Sequence, residues 1–198
     1  MNNNTASKAH YDELTPGSLR DHFLIAMPGL NDSSFAHTVT YICEHTDKGA
    51  MGVVINTATS MQLHEIFTQM DLDYSSSIGD QPIMAGGPVQ PERGFVLHGS
   101  DTTWQSTLQV SAELSLTTSR DILVAMAQGR GPKDCLIALG YAGWGEGQLE
   151  QEIAENSWLT VPANKDIIFN TPCDTRWTAA AQALGIDVNL ISSTAGHA

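Results

Sequence analysis

Hydrophobic and polar positions alternate along this chain with two periods, and the places where the period changes mark out its elements. His22-Phe-Leu-Ile-Ala-Met27 is a largely apolar run closed by Pro28-Gly29, which predicts a buried strand. From Thr38 to Glu44 the period is two, with Val39, Tyr41 and Cys43 on one face and Thr38, Thr40 and Glu44 on the other. Asp47-Lys48-Gly49 supplies turn chemistry, and Met51 to Ile55 returns as the second strand of a hairpin. Thr59-Ser-Met-Gln62 has capping-box spacing, and Leu63, Ile66, Phe67 and Met70 follow at helical spacing.

Asp71 to Gln81 is polar and predicts a loop. Pro82 to His98 holds two apolar runs around a Pro/Gly-rich connection, the pattern of paired strands. Thr107–Val110 and Leu114–Thr117 predict further strands, and Thr118-Ser-Arg-Asp121 starts a helix that ends at Gly129. The buried strand from Cys135 to Tyr141 then feeds a loop, Gly140 to Gly147, with four glycines in eight positions. An acidic helix follows, on which Leu149 and Ile153 share one side while Glu152 and Glu155 point to water. Trp158–Val161 and Ile167–Phe169 predict short strands. Thr171-Pro-Cys-Asp174 caps a helix with proline at its first position and a stripe of Trp177, Ala180, Ala181 and Leu184, closed by Gly185. Val188–Ile191 is a last strand.

About four helices and nine or ten strands, several in hairpins, give an α+β domain with a mixed, mainly antiparallel sheet. A doubly wound parallel sheet is the alternative. The polar N-terminus, residues 1–17, reads as a disordered tail ahead of a single domain over 18–198. That tail has no apolar signal core, and no run reaches the ~20 residues that span a bilayer. The cytoplasm is therefore the default location, with no membrane partner.

Charge narrows the partners. Nine Lys and Arg stand against 22 Asp and Glu, a formal charge of −13, which repels phosphate backbones and weighs against nucleic acid. The three cysteines are widely spaced without a C-x-x-C pair, and read as buried and reduced.

Candidate chemistry is sparse. No Walker loop, nucleophile elbow or His-Glu-x-x-His occurs, and the glycines at 143, 145 and 147 have the wrong spacing for a dinucleotide. Glu146 would also place a negative charge where pyrophosphate must sit. Cys43 and His45 fall on one strand face but lack further ligands, so no metal and no cofactor are expected. Arg93 and Arg120, each beside turn or cap residues, are the cations best placed to hold an anion. An enzyme would need Arg93, His98, Ser119, Arg120 and Glu150 to meet in one pocket, and no catalytic residue is assigned.

Several of these runs together resemble the YqgE/AlgH family. They are His22–Pro28, Gly49–Asn56, Gly86-Gly-Pro-Val89 with Arg93–His98, Leu139–Trp144, Gly147–Ile153, Asn156–Thr160 and the terminal Ala195-Gly-His-Ala198. The resemblance runs unbroken from about Leu19 to Ala198. It implies a bacterial cytosolic protein whose α+β fold has a bifurcated, partly barrel-like sheet, and it implies no reaction. The AlgH name reflects a proposed regulatory role in alginate production. The positions matching the family offer Gly86, Gly87, Arg93, Trp144 and Gln148 as contact residues beside Arg120. The expectation is a regulatory or interaction module that binds a protein or small ligand. An enzyme, or a DNA-binding regulator, is the alternative.

Overall fold

The structure, a computed structural model, describes residues 17–30 and 34–186. The expected strand Val188–Ile191 and, Gly17 apart, the expected N-terminal tail lie outside them. In chain order the elements are β1 (His22–Ala26), β2 (Val39–Thr46), β3 (Gly49–Val54), β4 (Ala58–Gln62), α1 (Leu63–Gln69), the single turn α2 (Ser76–Gly79) and β5 (Pro82–Ala85). There follow β6 (Val89–Gly99), β7 (Thr107–Gln109), β8 (Leu114–Thr117), α3 (Arg120–Ala127), β9 (Cys135–Trp144), α4 (Gln148–Ala154) and β10 (Trp158–Pro162). A π-helical turn (Asp166–Asn170), a 3-10 turn (Cys173–Thr175) and α5 (Arg176–Gln182) complete the described chain.

The strands form a curled sheet in the order β10-β1-β2-β3-β9-β6-β8-β7, antiparallel throughout that path. A branch of β5 and β4 leaves it at β9, and β5–β9 is its parallel pair. The mainly antiparallel, bifurcated and partly barrel-like α+β sheet is as expected.

β9 is the spine of this arrangement. Its first half lies between β5 and β6, while Ala142 to Trp144 pair with β3. The sheet divides where Gly86, Gly87 and Gly140 cross. Gly86 donates to Leu139 O at 2.7 Å and accepts from Val54 N at 2.8 Å, so this backbone bridges both branches. A Cβ on Gly86 would lie 2.3 Å from Gly140 O, and one on Gly87 2.1 Å from the Tyr141 carbonyl carbon. No side chain fits between backbones at that spacing.

The sheet faces bury three apolar clusters. Phe23, Tyr41, Val53, Phe95, Leu97 and Leu116 belong to the concave interior, closed at one end by Ile167, Ile168, Ala180 and Ala181. α4 covers a second cluster with Leu149, against Leu24, Ile42, Trp144 and Trp158. α1 and α3 cover a third, built on Ile83, Val96 and Ile137. Each large side chain so buried contributes about 1.5–3 kcal/mol from apolar area alone.

Several expected details are corrected. β5 and β6 do not pair with each other, because β9 lies between them. The expected glycine loop is strand as far as Trp144. α2 interrupts the loop Asp71–Gln81. Thr59 lies in a strand, donating to Ile83 O at 2.9 Å, and α1 instead begins where Glu65 accepts the Gln62 N–H at 3.0 Å. Ser119, not Thr118, is the N-cap of α3, and the Asp121 carboxylate accepts the Ile122 and Gln105 N–H groups.

Near the C-terminal end, Ile167–Phe169 is not a strand. The Asn164 side chain accepts the Asp166 N–H at 2.8 Å and winds the segment into a turn. Pro172 stays extended, so a 3-10 turn comes first and α5 starts at Arg176. Leu184 lies past the end of α5 and is exposed, whereas Gly185 does close the helix, with φ of 73°.

Candidate functional site

The arginines show how this acidic chain uses its few cations. Arg20 gives Nε to Val110 O at 2.9 Å and Nη2 to Gln109 O. Arg176, buried, donates to Thr171 O and Ile55 O, and its burial lowers its pKa from the ordinary value. Arg120 gives Nη2 to Met70 O at 3.1 Å. Between them they hold backbone carbonyls at the end of β7, after β3, at the C-terminus of α1 and after the π-helical turn.

Arg93 differs. The register of β6 slips against β9 between Val89 and Gly94, leaving residues 90–93 as an exposed bulge. Gln90 takes φ of 48° there, a left-handed conformation costly for a residue with a Cβ. The Arg93 guanidinium lies over the Phe95 ring, 5.4 Å from its centroid, and donates to Gln90 Oε1 at 3.2 Å. Among the described residues it pairs with no carboxylate.

Beneath Arg93 opens a cleft of about 590 Å³ at the mouth of the curled sheet. Met51, Val89, Phe95, Leu108, Leu116 and Tyr141 line it, with Ser106, Thr118 and Gly143, while Ala50 and Trp144 stand at the β3–β9 pairing. Its apolar lining continues into the interior cluster, and Tyr141 meets Phe95 edge-on at 5.7 Å. The Tyr141 hydroxyl has no hydrogen-bond partner among the described residues. Among the described residues, Arg93 is the only charged side chain lining the cleft.

A second cleft, of about 620 Å³, lies against the other face of β6. Met61, Ile66, Met70, Val96, Leu123, Ile137 and Leu139 make it apolar, and Arg120 and Glu92 give it charges of both signs.

The α4 face is organised in the opposite way. Glu152 Oε2 accepts the indole N–H of Trp144 at 2.9 Å and of Trp158 at 2.8 Å, and its Oε1 accepts Gln148 Nε2 at 2.9 Å. Gln148 Oε1 in turn accepts the Gly145 N–H at 3.0 Å. The expectation that Glu152 points to water is therefore corrected: the two tryptophans turn it inward. Gly147 starts α4 in the left-handed region, at φ of 70°.

Of the six contact candidates, then, Arg93 and Trp144 meet one cleft, and Arg120 lines the other. Gly86 and Gly87 occupy the backbone crossing, and Gln148 ties the α4 loop. Phe95, Tyr141 and the aliphatic floor were not among the candidates. The two-residue spacing of Arg93 and Phe95 on one strand was the signal that could have pointed to them.

The residues required for an enzyme do not share a pocket. Ser119 and Arg120 line the second cleft and Arg93 the first. His98 is fully buried, donating from Nδ1 to Gly99 O at 2.7 Å and accepting at Nε2 from Thr117 Oγ1 at 2.8 Å. Its burial lowers its pKa and favours the neutral ring.

Glu150 meets His45 Nε2 at 2.7 Å on the α4 face. Its own helical N–H lowers its pKa most, burial opposes the shift, and His45 adds to it. His45 Nδ1 accepts the Leu19 N–H at 2.8 Å.

The expected Cys43–His45 face does not form. A bulge between Ile42 and Glu44 sends His45 to the α4 side, while Cys43 stays in the interior, where burial raises its thiol pKa. Cys135 is pushed to about 11 by burial, aided by Asp134. The three cysteines are free thiols, Cys43 buried and the others partly covered. Among the described residues no His, Cys, Asp or Glu side chains gather in a set of three that could hold a metal. No helix of the described residues is long and apolar enough to cross a membrane.

Known proteins share this architecture. The sequence model of a family described as AlgH-like matches residues 23–189. A UPF0301 protein of Thioalkalivibrio sulfidiphilus is 57% identical over 178 residues, covering 90% of this chain and 96% of its own. Another, of Saccharophagus degradans, is 55% identical over 181 residues, covering 91% and 89%. The solution structure of the AlgH protein from Pseudomonas aeruginosa superposes with a TM-score of 0.77 at 48% identity, over 94% of this chain and 99% of that one. A crystal structure from Corynebacterium diphtheriae shares the fold, with a TM-score of 0.69 at 18% identity over 91% and 94%.

Proposed function

The chain belongs to the AlgH-like family, and on that premise we propose that it is a regulatory or interaction module working by binding, with its site in the cleft under Arg93. One observation carries the reading. In a chain of charge −13, Arg93 holds no carbonyl and no carboxylate among the described residues, and of these it alone brings a charge to an apolar, aromatic cleft. Clefts of a few hundred Å³ with an apolar floor and a few polar groups are the usual form of a small-ligand site.

The alternative, an enzyme using Arg93, His98, Arg120 and Glu150, is the weaker reading because these groups have no cavity in common. A DNA-binding regulator is weaker still: one arginine cannot offset the repulsion of a phosphate backbone by this net charge.

A thermal-shift screen of small molecules and short peptides on wild type and Gly143→Leu tests the proposal. The three atoms nearest a Cβ on Gly143 all belong to side chains, Tyr141 Cε2 at 3.4 Å, Val89 Cγ2 at 3.9 Å and Tyr141 Cδ2 at 4.0 Å, so a leucine can be introduced at this lining position to take up cleft volume. Ligands that raise the Tm of wild type but not of the variant support it. Hits equal in both proteins, or none, count against it.

A further inference from the structure

We infer that the cleft takes an amphipathic organic anion, with an apolar or aryl body on the barrel floor and a carboxylate-like head at Arg93. This deepens the proposed function and rests on that cleft being the binding site.

The head group follows from Arg93. A guanidinium carries five N–H donors, and here one hydrogen bond is made, to the neutral Gln90 side chain. The remaining donors stay available, and the ring of Phe95 beneath holds the plane without neutralising it. The β6 bulge sets this residue on the rim of the cleft, as bulges commonly re-aim side chains at sites. A cationic ligand would meet the same charge, with no carboxylate among the described lining residues to receive it.

The body follows from the floor. Met51, Phe95, Leu108 and Leu116 are continuous with the core and offer only apolar contact. The Tyr141, Thr118 and Ser106 hydroxyls are the neutral polar groups available to a head group. A free inorganic anion would leave this floor uncovered, and a fully apolar ligand would leave Arg93 without a partner. An amphipathic anion satisfies both. The surrounding charge of −13 means that the attraction is local to this rim.

The test compares octanoate, octan-1-ol and octylammonium, which share one tail and differ in charge, by ligand-detected NMR titration. Octanoate should bind on the order of tenfold more tightly than octanol, the scale of one charge-assisted contact, and octylammonium most weakly. Arg93→Ala should remove the advantage of octanoate and leave octanol unchanged, and Arg93→Lys should retain part of it. Gly143→Leu should abolish binding of all three ligands.

The anion assignment is overturned if octanoate does not bind, if it binds no better than octanol, or if its advantage survives Arg93→Ala. Equal binding of all three ligands, blocked by Gly143→Leu, overturns the anion assignment and leaves the cleft as the site. Binding that Gly143→Leu does not disturb overturns the cleft itself, and the proposed function with it. Unchanged circular dichroism and Tm of the variants separate each result from unfolding.

Discussion

The two sides of the β3–β9 junction treat their polar groups in opposite ways. Toward α4, the Glu152 carboxylate receives two indole N–H groups and an amide, and Gln148 ties the preceding loop to the same helix. Toward the barrel mouth, Arg93 has a single neutral acceptor and the Tyr141 hydroxyl has none among the described residues. Buried polar groups are normally satisfied within the fold, so a satisfied network describes architecture. Solvent-facing donors at the edge of an apolar cleft are instead free to exchange water for a ligand. The tryptophan- and glycine-rich segment that marks the family thus builds the fold with one face and borders the candidate site with the other.

The contrast can be broken at its hinge. Gly87→Ala drives a Cβ into the Tyr141 backbone at 2.1 Å, where no flexible side chain can yield. It should destabilise the protein by about 3 kcal/mol or more, measured by urea denaturation. Wild-type stability would show that the two branches can separate without cost.

The α4 side comes next. Glu152→Ala leaves two indole N–H groups without their acceptor and should cost about 2–3 kcal/mol. Octanoate affinity in the cleft should not change. A loss of affinity equal to that of Arg93→Ala would merge the two faces into one site.

At the barrel mouth the effects should reverse. Arg93→Ala should alter stability by less than about 0.5 kcal/mol in the same denaturation experiment, since the side chain is exposed and holds no backbone. Its consequence should appear in ligand affinity alone. A large stability loss would place Arg93 among the structural arginines.

The smallest effect concerns Glu150. Its folded pKa lies below the ordinary 4.5, so its contribution is complete above about pH 4.5 and is lost as the pH falls through the folded value. The stability difference between wild type and Glu150→Gln should therefore shrink as the pH falls below about 4.5. With Glu150 exposed to solvent and His45 largely covered, the contact contributes about 1 kcal/mol. A difference that grows as the pH falls below about 4.5 would contradict the lowered carboxylate pKa.

Local pattern made much of this fold legible. The alternation of Val39, Tyr41 and Cys43, the turn Asp47-Lys48-Gly49 and the stripe Leu63, Ile66, Phe67 report short-range geometry, and each stands where its spacing places it. What stayed hidden depends on distant partners. β9 lies between β5 and β6 because the chain crosses at Gly86 and Gly140, and no period in Pro82–His98 encodes that crossing. The bulge after Ile42 reverses the face of His45 from that of Cys43, which strict alternation cannot anticipate.

The site was partly legible for the same reason. Arg93 was visible as a rare cation in a turn. The difference between Arg93 and Arg120 appears only when the Met70 carbonyl is seen to take the Arg120 guanidinium. Trp144 borders the cleft as a contact candidate, while its indole N–H donates to Glu152, a residue that helical spacing turns toward water.

The most direct measurement is a ¹H–¹⁵N NMR titration of the protein with octanoate, mapped on both faces of the junction. Saturable shifts should gather at Met51, Arg93, Phe95, Leu116 and Tyr141, with α4 from Gln148 to Ala154 and the Trp158 indole unmoved. Shifts centred on α4, or spread evenly over the surface, would contradict the division between a face that is architecture and a face that binds.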